Sequence, residues 1–167
     1  MATINQFEVK ALKYYPDHEG MSVPYGNLYY KNSKMGEFQA DAWAGPMGYT
    51  HTSKKVSEEE MMKELKSIQT KNGWDDFFGS FDILLDVLID FKEDETAFKK
   101  LQKKNSIYLK LDVDMTKEPG QIFIHPSGYS ISENATEEDI SKAVEEIKGD
   151  KENVQVTVYR SLDDFNM

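Results

Sequence analysis

The chain has 167 residues and carries 30 acidic against 20 basic side chains, which gives a formal charge of −10 with neutral histidines. Hydrophobic residues make up 39% and charged residues 30%, so the composition excludes collagen-like, low-complexity and membrane-embedded chains. The chain has no cysteine, which excludes disulfide scaffolds and cysteine-ligated metal centres. We expect a single α+β domain of residues 1–167, with sub-lobes at residues 1–55 and 56–167.

The first third of the chain is typical of β-structure. Apolar and aromatic residues predict strands over residues 7–15, 25–31 and 36–43. Residues 32–35 are expected to join the second and third strands as a hairpin loop, and the Gly- and Pro-containing residues 43–49 to form a loop.

A central helical segment is predicted over residues 57–104. Ser57 and Glu60 form a capping-box pattern that opens a helix ending near residue 69. The densely apolar residues 74–92 predict a second helix, and residues 96–104 predict a third. In the first helix the residues expected to face the core are Met61, Leu65 and Ile68.

The last third predicts strands and one helix. Residues 106–113 alternate between apolar and polar side chains, and residues 122–125 are expected to form a short strand. A helix from the cap Thr136 to about residue 148 and a final strand over residues 154–160 follow. The order of elements favours an α+β fold with a mixed, mostly antiparallel sheet and about four helices.

The N-terminal residues and the apolar segments predict a cytoplasmic protein without a membrane-spanning segment. Residues 1–8 lack the basic segment and apolar run of a signal peptide. The longest apolar stretch, residues 81–91, is interrupted by Asp82, Asp86 and Asp90 and is too short to span a bilayer.

The negative charge is concentrated in the last two-thirds of the chain. Residues 1–55 sum to +1, residues 56–105 to −4 and residues 106–167 to −7. On the second predicted helix one arc is acidic, and residues 75–90 contain no lysine. The arc comprises Asp75, Asp82, Asp86 and Asp90, with Asp76 at its edge and Glu93 on it if the helix reaches that residue. Such an arc is either the solvated side of a core helix or a surface that binds a partner.

The basic residues argue against direct binding of nucleic acid. Arg160 is the only arginine among them, and lysine replaces the bidentate contacts of arginine poorly. A chain of charge −10 is repelled by a polyanion but attracted by a basic protein, such as a nuclease or a nucleic-acid-binding complex.

Two further groups of residues extend the expected partner-binding surface. Acidic residues cluster at the start of the last helix, at Glu137, Glu138 and Asp139. Tyrosine and tryptophan are favoured at interfaces, and here they include Tyr29, Tyr30 and Trp43, although half-buried sheet residues have the same composition.

A metal site is the alternative. Asp112 and Asp114 are spaced i,i+2 at a strand end, and His125 ends the next predicted strand, so the three could hold a divalent cation if these strands pair. On this hypothesis the protein is a small metal-dependent enzyme or ligand binder. No phosphate-binding glycine loop, dinucleotide fingerprint or hydrolase elbow is present in the sequence, and we expect no organic cofactor.

The leading hypothesis is a non-catalytic inhibitor that covers a basic surface of its partner. In its size, acidity and lack of cysteine the chain is similar in general character to nucleic-acid mimics and toxin-immunity proteins of bacteria and phages. A homo-oligomer that uses the aromatic residues is a further alternative.

Overall fold

The computed structural model describes residues 2–41, 47–72, 81–104, 106–113, 127–150 and 154–166, and these residues form an α+β fold, as predicted. They contain three α-helices, one fewer than the number expected from the sequence. The elements are, in chain order, β1 (Phe7–Pro16), β2 (Ser22–Tyr30), β3 (Ser33–Gln39), β4 (Gly48–His51), α1 (Glu58–Asn72), α2 (Phe81–Gln102), β5 (Ser106–Val113), β6 (Ser127–Ser132), α3 (Glu137–Lys148), β7 (Val154–Tyr159) and a 3-10 helix (Leu162–Phe165). The strands form two antiparallel sheets, ordered β1-β2-β3-β4 and β6-β5-β7.

The chain divides into two compact units. Unit 1 consists of Met1–Glu93 and Phe165–Met167, and it contains the four-stranded sheet, α1 and the first part of α2. Unit 2 consists of Asp94–Asp164, and it contains the rest of α2, the three-stranded sheet and α3.

The β2–β3 hairpin of unit 1 is tighter than the sequence predicts. Lys31 and Asn32 both have positive φ, 48° and 61°, and Tyr30 pairs directly with Ser33. Two left-handed residues between paired strands are typical of a type I′ turn, whose twist matches that of the strands. The expected loop over residues 32–35 is therefore wrong, because Asn32 closes the turn and residues 33–35 already belong to β3.

The core of unit 1 lies between its sheet and the two helices. The residues expected to face the core from α1 are 2% exposed or less, which confirms that prediction. Close approach of β3 and β4 requires glycine at Gly36, because a Cβ there would lie 2.3 Å from the Thr50 carbonyl oxygen. The largest fully buried side chains in this unit include Phe7, Leu28, Met35, Met61, Leu65, Leu84, Leu85 and Leu88.

Helix α2 is continuous across residues 93–96, where the sequence predicts a break between two helices. The acidic residues at this point are not solvent-exposed linker residues. Asp94 is 6% and Glu95 1% exposed, and salt bridges link them to Lys110 and Lys99 respectively, each with an N–O distance of 2.6 Å. The prediction of two separate helices is wrong because these acids are neutralised inside the fold.

Unit 2 is built around the central strand β5, whose predicted bounds are confirmed. Helix α3 packs against β7 and β5. The Tyr108 and Tyr159 rings stack with centroids 5.6 Å apart. Tyr108 and Lys110, on the strand face that the alternation marks as polar, are only 6% and 7% exposed. Both faces of β5 are therefore covered at these positions.

The N-terminal cap of α3 is the one that the sequence predicts. Thr136 precedes the helix, accepts a hydrogen bond from the Asp139 amide and receives one in return from the Asp139 carboxylate to its own amide. Gly149 closes the helix with a positive φ of 55°. None of the helices in the described residues combines the length and apolar character that a membrane crossing requires.

Candidate partner-binding surfaces

Three acidic side chains of α2 point outward from unit 1. Asp86, Asp90 and Glu93, which we call the acidic face, are all exposed, whereas Leu85 and Leu88 on the same helix are fully buried. The 3.6-residue period places the three carboxylates on one side of the helix. Asp75 and Asp76 lie outside the described residues, as does the side chain of Asp82.

Tyr14 of β1 borders the acidic face. Its hydroxyl donates a hydrogen bond to Glu93 Oε1, and its side chain is 43% exposed. Partial burial, together with the Glu93 and Asp90 carboxylates, raises the pKa of the Tyr14 phenol, so this group remains a neutral donor. Asp86 and Asp90 also take part in interactions with other groups. The acidic face is therefore a set of exposed, negatively charged side chains, and these side chains also interact with other groups.

The acidic residues that open α3 belong to unit 2 and are engaged there. Glu137 makes a bidentate pair with Arg160, with 2.7 Å between Glu137 Oε2 and Nη2, and this hydrogen bonding lowers the pKa of the Glu137 carboxyl. Glu138 lies 2.7 Å from Lys142, one helical turn away. Asp139 completes the capping box. All three are exposed, but each already has a partner within unit 2.

The aromatic residues suggested for an interface differ in their positions. Tyr30 is 3% exposed and stacks on Phe7 with ring centroids 4.6 Å apart, so it is a core residue. Tyr29 is half-buried, and the Lys10 ammonium lies 4.6 Å from its ring centroid. Trp43 lies outside the described residues. Tyr29 is thus the only one of the three that the described structure places at the surface.

The alternative metal site falls where the structure gives no side chains. Asp114 and His125 lie outside the described residues, and so does the side chain of Asp112, whose backbone pairs with Gln155. Among the residues that are described, no group of three or more His, Asp or Glu side chains is arranged to hold a metal ion. The metal site therefore stays a prediction.

A groove on the sheet of unit 1 was not identified from the sequence. It has a volume of about 710 Å³ and lies on the face of β1–β4 that points away from the core. Two neighbouring rows of side chains line it across the strands. We call this the outer-face groove, and its principal side chains are Lys13, Tyr25 and Gln39 in one row and Asn27, Glu37 and Thr50 in the next.

The side chains of the outer-face groove are held in place by a small network. Gln39 Nε2 donates to the Tyr15 hydroxyl at 2.8 Å, and that hydroxyl donates to the Ala40 carbonyl at 3.1 Å. The Tyr15 ring lies 5.8 Å from the Tyr25 ring. The alternation of polar and aromatic residues on β2 and β3 indicates in the sequence which side chains share one face of each strand. Only the pairing of the strands brings these side chains together as a groove.

Comparison of the chain with protein-family models, with curated proteins and with solved structures found no significant match. A functional conclusion therefore depends on the surfaces of the chain itself.

Proposed function

We propose that this protein is a non-catalytic binding protein whose acidic face covers a basic, nucleic-acid-binding surface of a partner protein. The observation that carries the proposal is the outward exposure of Asp86, Asp90 and Glu93 on a helix whose other side forms the core of unit 1. Such a protein would act as a nucleic-acid mimic or as an immunity protein does against its toxin. The cysteine-free sequence is compatible with the cytoplasmic location that we infer for it.

The rigidity of α2 supports this function. Leu84, Leu85 and Leu88 are each 2% exposed or less and fix the helix in the core. Carboxylates four residues apart on a packed helix are spaced by about 6 Å along its axis. Little backbone ordering is then needed on binding, which lowers the entropic cost of association.

The charge of the molecule supports the same partner class. A formal charge of −10 attracts a basic protein over distances comparable with the Debye length, and complementary charge accelerates and orients encounter. Tyr14, half-exposed beside Glu93, adds an aromatic ring with a polar end, a combination favoured at protein interfaces. Inhibition would follow from competition for the groove in which the partner binds phosphates.

The test compares two variants of equal net charge. In Asp86→Lys/Asp90→Lys the acidic face is reversed, and in Glu145→Lys/Glu146→Lys two exposed acids of α3 are reversed instead. Immobilised wild-type protein is expected to retain nucleic-acid-binding proteins from a lysate at low ionic strength and to release them when duplex DNA is added. The first variant should lose them and the second should keep them.

Two results would contradict the proposal. If both variants lose the captured proteins equally, net charge rather than the acidic face is responsible. If duplex DNA fails to displace them, the protein does not occupy a nucleic-acid-binding surface. Circular dichroism of both variants checks that the fold is retained.

A further inference from the structure

We propose that the outer-face groove binds a neutral, hydroxyl-rich ligand, specifically a short oligosaccharide. This activity is separate from the proposed function, since the groove is formed by β1–β4 and the acidic face by α2. The volume of about 710 Å³ lies within the range of about 300–1,000 Å³ found for small-molecule sites. Four strands also give the groove a width of about 14 Å, three times the inter-strand spacing.

The chemistry of the lining fits a sugar. Tyr25 is 36% exposed near the middle of the groove, where its ring can stack on the apolar C–H face of a pyranose. The amides of Asn27 and Gln39 each offer both donors and acceptors, and Thr50 adds a hydroxyl. Sugar hydroxyls also both donate and accept hydrogen bonds, so these amides and this hydroxyl can pair with them in either direction.

Side chains of the groove are already held in position before a ligand binds. Gln39 and Tyr25 are held by Tyr15, as described above, so little side-chain entropy is lost on binding. Asn27 is half-buried in the lining, and its side-chain amide has no hydrogen-bond partner in the described part of the chain. A polar group in a concave surface without a protein partner is available to a solvent molecule or a ligand.

The charge of the lining selects a neutral ligand over an anionic one. Lys13 contributes one positive charge, whereas Glu37 and Asp41 contribute two negative ones. Lys34 compensates Glu37 at an N–O distance of 2.6 Å, which leaves the region close to neutral. A lining without net positive charge offers no electrostatic attraction to the phosphates of a nucleotide or a nucleic acid.

One residue of the groove lining has an unfavourable backbone conformation. Ala11 has a φ of 53° at the irregularity between Lys10 and Lys13, and it lines the groove. An alanine in the left-handed region costs about 1–2 kcal/mol relative to the right-handed one. Non-glycine residues in such conformations are concentrated at binding and catalytic sites.

The experiment is an NMR titration of the isotope-labelled full chain with three neutral trisaccharides, namely maltotriose, cellotriose and tri-N-acetylchitotriose. We expect at least one of them to cause saturable shifts at the amides of Tyr25, Asn27, Gln39 and Thr50. Tyr25→Ala should weaken binding about tenfold, as loss of an aromatic contact implies. Tyr129→Ala, which removes an exposed tyrosine of unit 2, serves as the control and should leave the affinity unchanged.

The proposal is overturned if none of the trisaccharides causes saturable shifts in the groove up to about 10 mM, well above a millimolar Kd. It is also overturned if Tyr25→Ala binds as well as the wild type, or if a single-stranded DNA oligonucleotide occupies the groove instead. Should Tyr25→Ala fail to fold, Thr50→Val removes one hydroxyl of the lining at nearly constant volume and is expected to weaken binding severalfold.

Discussion

At the scale of single residues, the buried ion pair between Lys110 and Asp94 in unit 2 carries a large desolvation cost. Lys110 Nζ lies 2.6 Å from Asp94 Oδ2, both side chains are 8% exposed, and the Tyr108 hydroxyl donates to Asp94 Oδ1 at 2.9 Å. Removing two charges from water is costly, and their attraction offsets that cost only when the hydrogen bonds are complete. Loss of one partner should therefore be far more harmful than loss of both charges.

We expect Lys110→Met to lower the free energy of unfolding by about 3–5 kcal/mol, because Asp94 is left charged in a buried site. The double variant Asp94→Asn/Lys110→Met keeps an acceptor for Tyr108 but removes both charges, and it should recover most of the loss. Urea unfolding followed by near-ultraviolet circular dichroism measures the difference. Lys100→Met, which changes an exposed lysine of α2, is the control. A double variant no more stable than the single one would refute this account.

This interaction also shows where prediction from the sequence stops. The alternation in residues 106–113 correctly locates β5, but it assigns Lys110 only to the polar face of the strand and does not show that this face is covered. Its partner Asp94 is 16 residues away on another element, so no local pattern reveals the pairing. The pairing of Asp94 with a distant lysine is also the reason that the acidic residues 93–96 look like a break between helices in the sequence.

At the scale of elements, local sequence patterns are sufficient to predict a helix or a strand where a helix cap or a strict hydrophobic period is present. Ser57 does cap α1 through a hydrogen bond from the Glu60 amide at 3.1 Å, and α3 and β7 also lie where they are predicted. Strand β4 was missed because its four residues follow glycine and proline, and its strand character comes from pairing with β3. The acidic face could likewise be predicted from helical periodicity, whereas the outer-face groove requires the register of four strands.

Two carboxyl groups of unit 2, one in the N-terminal cap of α3 and one in the 3-10 helix, predict that the stability of this unit decreases in acid. Hydrogen bonds from Thr136 lower the pKa of Asp139 below its ordinary 3.8, and hydrogen bonds from the Ser161 and Arg160 amides do the same for Asp164. The folded state thus holds these protons less tightly than the unfolded chain. The stabilisation is present above pH 3.8 and is lost as the pH falls through the lowered values.

We therefore expect the free energy of unfolding to decrease as the pH falls below about 4, with α3 amides losing protection first. Urea titrations at several pH values, together with amide hydrogen exchange, measure the effect. In Asp139→Asn/Asp164→Asn the decrease should be smaller, since two of the responsible carboxyls are absent. An equally steep decrease in that variant would show that other groups are responsible.

At the scale of the whole molecule, the formal charge of −10 produces self-repulsion that folding must overcome. Raising sodium chloride from about 0.01 M to 0.15 M shortens the Debye length from about 30 Å to 8 Å and weakens this repulsion. We expect Tm to rise by about 2–4 °C, which corresponds to about 1 kcal/mol for a chain of this size. Asp86→Lys/Asp90→Lys, with less net charge, should respond less. A Tm that falls with added salt would mean that favourable ion pairs outweigh the repulsion.

The division of the chain has a consequence for the order of assembly during translation. Phe165 belongs to unit 1, is fully buried, and lies with its ring centroid 5.7 Å from that of Phe91, while its carbonyl accepts a hydrogen bond from the Thr3 amide. Every residue of unit 2 is synthesised before Phe165. The nascent N-terminal half therefore leaves the ribosome with part of its interior uncovered, and chaperones that recognise exposed apolar surface have the longest access to that half.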